Sequence, residues 1–110
     1  MKDNYIVSIT KQAREQIREI DHYIKYTLQS VSSANNILDT LEKEISSLSC
    51  LPNRIVLTEE EPWHSYGIHK MVVKSYLVYF WIDESMHKVF VTAVVYGRCD
   101  QIQQLSNMSF

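Results

Sequence analysis

Six basic side chains in and beside the β-rich stretch at residues 67–96 have the chemistry to handle a phosphate or a proton. They are His69, Lys70, Lys74, His87, Lys88 and Arg98. Imidazole titrates near neutral pH and can act as a general acid or base, while lysine and arginine can hold phosphate oxygens. A run of charge along a strand is more often simply its solvated face, so both interpretations stay open on these residues alone.

Metal and cofactor chemistry find little support in the residue spacing. His64, His69, His87 and Cys99 could ligate zinc, but their intervals match no usual ligand pair. The three consecutive glutamates at residues 59–61 cannot converge on one ion without special backbone geometry, and are typical of a solvated loop. The sequence also lacks a phosphate-binding glycine loop, an HExxH helix and a nucleophile elbow. We therefore predict no metal and no cofactor.

The basic side chains fall on a predicted antiparallel meander. Three runs rich in Val, Ile, Tyr, Phe, Trp and Thr occupy residues 67–73, 76–82 and 88–96, and these residue types favour strands. The polar breaks between them, at residues 74–75 and 83–87, have hairpin length.

The first half of the sequence predicts one strand and two helices. Residues 4–10 are β-prone, and Thr10 can cap the helix that follows. From Lys11 the apolar residues recur at intervals of three and four, as in an amphipathic helix. A second helix of the same kind runs from residue 34 to about residue 51 and ends before Pro52.

Three aromatic side chains flank the apolar stripe of the first helix. They are His22, Tyr23 and Tyr26, and we expect them at the boundary of the core, since amphipathic side chains often lie there.

The order of elements is β-α-α-β-β-β, which predicts an α+β fold. An antiparallel sheet is covered on one face by an αα-hairpin, and function is left to the other face or to the strand ends. Residues 53–66 form a long acidic connection that holds a partial strand at residues 54–57. Asp100 can cap a short C-terminal helix at residues 101–106. The 110 residues suffice for a single domain.

Composition narrows the function classes. The net charge of −2 gives no electrostatic case for nucleic-acid binding by the chain as a whole. Cys50 and Cys99 are too few to staple a secreted domain, and we expect two free thiols. Because neither a signal peptide nor an apolar run of roughly 20 residues is present, we expect a cytoplasmic protein without a membrane partner.

Five stretches of the sequence resemble the RelE/ParE superfamily of toxins from bacterial type II toxin–antitoxin modules. They are YIVSITKQA at residues 5–13, IDHYI at 20–24, EPWHSYGIH at 61–69, SYLVYFWIDE at 75–84 and VYGRCD at 95–100. The likeness extends from about residue 5 to residue 105, and it lies in the order and spacing of the stretches rather than in any one of them. The superfamily fold has the same β-α-α-β-β-β order.

The resemblance implies a toxin that arrests growth, a role tied to plasmid stabilization, and that is neutralised by an antitoxin from the same operon. RelE-like members enter the ribosome and cut mRNA without a metal, whereas ParE-like members bind and poison DNA gyrase. The long helical hairpin and the connection containing Pro-Trp are more similar to the ParE-like branch. Gyrase inhibition is therefore slightly favoured, and whether the protein is an enzyme stays open.

Departures from the superfamily pattern bear on this choice. His64 and His69 stand where relatives commonly have Arg, and Cys99 takes another Arg position, with Arg98 one residue earlier. If the protein is a ribonuclease, the resemblance implies His69 as acid or base, Arg98 as phosphate clamp and Tyr76 as orienting hydroxyl. Each has a structural alternative: His69 lining the sheet, Arg98 pairing with a neighbouring carboxylate, and Tyr76 packing across strands. A third hypothesis is an inactive homologue that only binds an antitoxin.

Overall fold

A computed structural model describes residues 4–27 and 29–97. Strand β1 spans Ile6–Ile9, helix α1 Lys11–His22, helix α2 Val31–Ser46, and strands β2, β3 and β4 span His69–Val73, Tyr76–Asp83 and Lys88–Tyr96. A π-helical turn, Tyr23–Thr27, extends α1, and 3₁₀ turns cover Ser47–Ser49 and Pro52–Arg54. The α+β prediction is confirmed, whereas the C-terminal helix at residues 101–106 falls outside the described residues.

Both helices begin where a hydroxyl can satisfy a free backbone N–H. The Oγ1 atom of Thr10 accepts from the Ala13 N–H at 3.2 Å, as the sequence predicts. The Oγ atom of Ser30 accepts from the Ser33 N–H at 3.2 Å. Helix α2 therefore begins at Val31, three residues earlier than predicted.

Arg54 holds together the chain reversal that follows α2. The chain turns sharply at Leu51, whose φ of 50° lies in the left-handed region that costs a branched residue free energy. The guanidinium of Arg54 donates to the carbonyl oxygens of Cys50 at 2.6 Å and Leu51 at 3.0 Å, and to the Ser47 hydroxyl at 2.9 Å. All three acceptors lie after the last residue of α2, so these bonds hold the segment in which the chain reverses.

The Arg54→Ala variant is expected to lose about 1–2 kcal/mol of unfolding free energy, because the carbonyl oxygens of Cys50 and Leu51 lose a charged donor. Urea unfolding followed by circular dichroism measures the loss. Arg54→Lys keeps the charge without the planar fork and should recover only a small part of it. An Arg54→Ala midpoint equal to that of the wild type would contradict this role.

The sheet has the strand order β1-β4-β3-β2. Strands β2, β3 and β4 form the predicted antiparallel meander. The prediction of an antiparallel sheet is wrong only for β1, which pairs in parallel with β4 from Ile6↔Lys88 to Ile9↔Val91. A parallel pair requires a long crossover, and here both helices and the first two meander strands lie between the partners.

A β-bulge in β4 changes which side chains of that strand face the helices. The register shifts after Tyr79↔Ala93 to Phe80↔Val91, so Thr92 has no opposite residue, and its hydroxyl donates to the Tyr79 carbonyl at 3.4 Å. The extra residue reverses the alternation of β4. Val89, Val91 and Val94 face the helices, and Ala93 and Val95 face away from them.

The long connection is partly ordered by β2. Leu57 forms a single antiparallel bridge with His69, and the Thr58 N–H donates to the Ile68 carbonyl at 2.8 Å. The predicted partial strand is thus confirmed at one residue pair. Cys50 is an exposed free thiol, and Cys99 falls outside the described residues. Within the described part of the chain, no helix is long and apolar enough to cross a bilayer.

Candidate functional site

His69, the predicted acid or base, lies at the start of β2 on the face covered by the helices. Its Nδ1 atom is 2.7 Å from the Ile55 carbonyl oxygen, so Nδ1 carries the proton and donates. The ring stacks on Phe80, with centroids 5.0 Å apart and planes 9° from parallel. Phe80 belongs to the buried cluster beneath the helices. The hydrogen bond to Ile55 therefore holds the connection against the start of β2.

Tyr76, the predicted orienting hydroxyl, lies at the other end of the β2–β3 hairpin. It is 8% exposed, pairs with Val73 and Tyr96, and has its ring 5.5 Å from that of Tyr96. His69 pairs with Phe80, four residues along β3 from Tyr76 and therefore about 13 Å away at the usual strand rise. The structure does not bring the two side chains together. Arg98 falls outside the described residues.

The face of the sheet that points away from the helices, called the far face here, is an apolar layer. Its buried residues are Trp63, Ile68, Leu77, Tyr79, Ala93 and Val95. Trp63 and Ile68 come from the connection and form a roof over the strands. Trp81 lies half-buried at the margin and stacks on Phe90 with centroids 4.8 Å apart. Phosphate binding needs desolvated cations or N–H donors, and this layer consists mainly of hydrocarbon.

A small polar network joins the connection that forms the roof to strand β2. Lys70 lies opposite Tyr79, and its Nζ atom is 3.4 Å from the Glu60 Oε2 atom. The buried Thr58 hydroxyl donates to the other carboxylate oxygen of Glu60, and the Nδ1–H of His64 donates to the Thr58 carbonyl at 2.8 Å. The lysine that could have met a phosphate is therefore already paired.

These contacts shift two pKa values. Burial opposes ionisation of Glu60, but the hydrogen bond from Thr58 and the charge of Lys70 outweigh it and lower the pKa of the carboxyl. Burial raises the pKa of Tyr79 well above its ordinary value, and the Glu60 charge raises it further. The solvated-loop expectation holds for Glu59 and Glu61, which are exposed, but not for half-buried Glu60. No spacing in the sequence points to the Glu60–Lys70 pair.

Three exposed aromatic side chains and one exposed valine gather at the tip of the helical hairpin, called the hairpin tip here: His22, Tyr23, Tyr26 and Val31. Tyr23 is 53% exposed, Tyr26 68% and Val31 58%. The rings of His22 and Tyr26 lie 4.6 Å apart and are tilted by 42°. The expectation that these aromatics mark the core boundary is wrong, because the π turn buries Ile24 and directs its neighbours outward. Single π turns occur frequently at functional sites.

A shallow groove of about 300 Å³ lies beside the tip. It is lined by Arg18, Glu19, His22, Tyr23 and Thr27. Its volume is at the lower limit for a small-molecule pocket and suits an anchoring side chain better than a cofactor. Within residues 4–27 and 29–97, no group of three or more His, Cys, Asp or Glu side chains could hold a metal ion.

The strand order, the helical hairpin on one face and the roofed far face define a fold shared with solved RelE- and ParE-type toxins. The chromosomal ParDE system from Pseudomonas aeruginosa matches with a TM-score of 0.68 at 14% identity, covering 86% of this chain and 98% of that one. A mutant of the Escherichia coli toxin RelE in the free state matches at 0.60 and 16% identity, covering 91% and 90%. The RelBE2 toxin–antitoxin complex from Mycobacterium tuberculosis matches at 0.58 and 19% identity, covering 84% and 98%.

The family follows from the sequence itself. Residues 7–100 match the model of the ParE toxin of the type II toxin–antitoxin system parDE. The chain therefore belongs to the ParE toxin family within the RelE/ParE superfamily, and the predicted resemblance is confirmed. No curated protein sequence gives a significant match. At the identities of the solved relatives, the structural likeness establishes the fold and leaves the target open.

Proposed function

We propose that this toxin arrests bacterial growth by binding DNA gyrase, as the ParE-like resemblance implies, rather than by cutting mRNA. The observation that supports this choice most strongly is the placement of the sheet residues. A metal-free ribonuclease needs an acid or base and cations converging on one phosphate. Here His69 stacks on Phe80 and is bonded to the Ile55 carbonyl, Lys70 is paired with Glu60, and the far face is filled with hydrocarbon.

The surface chemistry supports a protein target. Tyr and Arg dominate the energetics of protein interfaces, and both occur around the groove at the hairpin tip. We further propose that the toxin acts in the cytoplasm and is held inactive by an antitoxin from the same operon, as family membership implies.

Induction of the toxin alone in a bacterial host should stop thymidine incorporation before amino-acid incorporation. The purified full-length protein should inhibit supercoiling by purified DNA gyrase. His69→Ala should keep this inhibition at temperatures where the variant is folded, because its imidazole has a packing role. The control is the same induction in the presence of the antitoxin, which should leave both incorporation rates unchanged.

Two results would overturn the proposal. Translation that stops first, with toxicity lost in His69→Ala or Arg98→Ala although the fold persists, would establish the ribonuclease. Unchanged incorporation of both precursors while soluble toxin accumulates would establish the inactive homologue.

A further inference from the structure

We propose that the toxin holds gyrase through a basic and aromatic stripe on the solvent face of α1, and that the stripe receives an acidic protein segment. The stripe consists of Arg14, Arg18, His22 and Tyr26, all of which are exposed. This inference rests on the proposed function, because gyrase is the protein that would carry the segment. It adds the surface and the chemistry of the docking segment.

Helical spacing places these four side chains in one row. Each follows the previous one by four residues, the interval at which helix positions lie one above the other. Tyr26 stays in the row although it lies in the π turn, since its ring contacts that of His22 at 4.6 Å. The stripe thus runs along the helix and ends at the exposed rings of the tip.

The positive charge of the stripe has no carboxylate partner within the described residues. The ion pairs there are Lys25–Asp21 at 3.2 Å and Lys70–Glu60 at 3.4 Å. Arg14 and Arg18 take part in neither, and as like charges one turn apart they repel each other. A carboxylate from outside would remove this repulsion and could accept two hydrogen bonds from a guanidinium.

The groove beside the stripe can accept an apolar side chain of the docking segment. Arg18 and His22 belong to both the stripe and the groove, so a charged contact and an apolar contact can form side by side. The neighbouring Tyr23 is 53% exposed and offers a rigid aromatic wall. The matching ligand is a segment with an apolar side chain next to Asp or Glu.

A nucleic-acid backbone fits the same surface less well. Glu15 and Glu19 are exposed beside the arginines, and Glu19 lines the groove. Successive phosphates along a strand would meet these carboxylates. A protein segment can place a few carboxylates against the arginines and keep the rest of its surface neutral, which favours a protein ligand.

Binding of purified DNA gyrase to immobilised full-length toxin tests the stripe. Arg18→Glu and Tyr26→Ala should each weaken affinity at least about 30-fold, the effect of a central interface residue. Lys43→Glu makes the same charge change at an exposed site on α2 and should change affinity by less than about threefold. The wild-type affinity should fall with added salt more steeply than that of Arg18→Glu. Circular dichroism and thermal midpoints of all variants should match the wild type.

The outcomes separate this inference from the proposed function. If the wild type binds gyrase and both stripe variants bind equally well, the stripe is not the docking surface, although gyrase remains the target. If the wild type does not bind gyrase, the proposed function fails and the inference falls with it. If the wild type instead binds duplex DNA without gyrase, and Arg18→Glu abolishes that binding, the stripe is a nucleic-acid site and the inference is wrong.

Discussion

Replacing Trp63 by Ala is expected to lower the unfolding free energy by about 3–5 kcal/mol, a large part of the stability of a domain of this size. Trp63 is only 9% exposed and packs with Ile68 over the strands of the far face. Its removal opens a cavity beneath the roof and exposes Leu77 and Tyr79. Equilibrium urea unfolding measures the change.

Two matched variants serve as controls for the stability loss expected of Trp63→Ala. Trp63→Phe keeps most of the apolar volume and should lose clearly less than Trp63→Ala. Val56→Ala, at a side chain that is 75% exposed, should change stability by less than about 0.5 kcal/mol. A Trp63→Ala loss as small as that of Val56→Ala would show that the roof does not stabilise the sheet. Because the far face is not the proposed docking surface, folded Trp63→Ala should still bind gyrase.

Tyr79→Phe is expected to change the response of stability to alkaline pH. The folded-state pKa of Tyr79 is raised by burial and by Glu60, whereas the unfolded chain ionises at about pH 10. The stability that this hydroxyl contributes is therefore fully present below about pH 10 and is lost as the pH rises above it. For one proton the loss amounts to about 1.4 kcal/mol for each pH unit.

Thermal unfolding of both proteins between pH 8 and pH 11.5 measures this effect. Below about pH 10 the difference in stability between the two proteins should stay constant, since Tyr79 is neutral in both the folded and the unfolded wild type. Above about pH 10 the wild type should lose stability faster than the variant, because its unfolded chain ionises at this residue before the folded protein does. Tyr26→Phe removes an exposed hydroxyl and is the control for the substitution itself. Parallel wild-type and Tyr79→Phe curves across the whole range would contradict a buried, neutral Tyr79.

The family assignment and the proposed protein target rest on different observations. Five sequence stretches spread along the chain led to the toxin superfamily, and the match over residues 7–100 confirms it. The preference for a protein target rests on the ParE-like resemblance, on the placement of His69 and Lys70, and on the side chains that the fold leaves exposed on α1. Arg18, His22 and Tyr26 carry a signal in their spacing of four, but that spacing alone does not distinguish a binding stripe from an ordinary solvated face.

Local chemistry was enough to predict most of the elements. The Thr10 hydroxyl caps α1, the runs of β-branched and aromatic residues predict the three meander strands, and the polar breaks predict their turns, because these effects act between residues close in sequence. The β-α-α-β-β-β order and the helices on one face follow from such elements once their apolar sides must be buried.

Contacts between distant residues decided the rest. The parallel pairing of β1 with β4 and the bulge at Thr92 join strands whose approach no local pattern records. The position of His69 shows why this matters for function. In a strand, adjacent residues point to opposite faces, so whether His69 or Lys70 reaches the far face depends on which set of side chains the helices cover. Here the helices cover the side of the sheet on which His69 stacks on Phe80, and Lys70 lies on the far face beside Glu60.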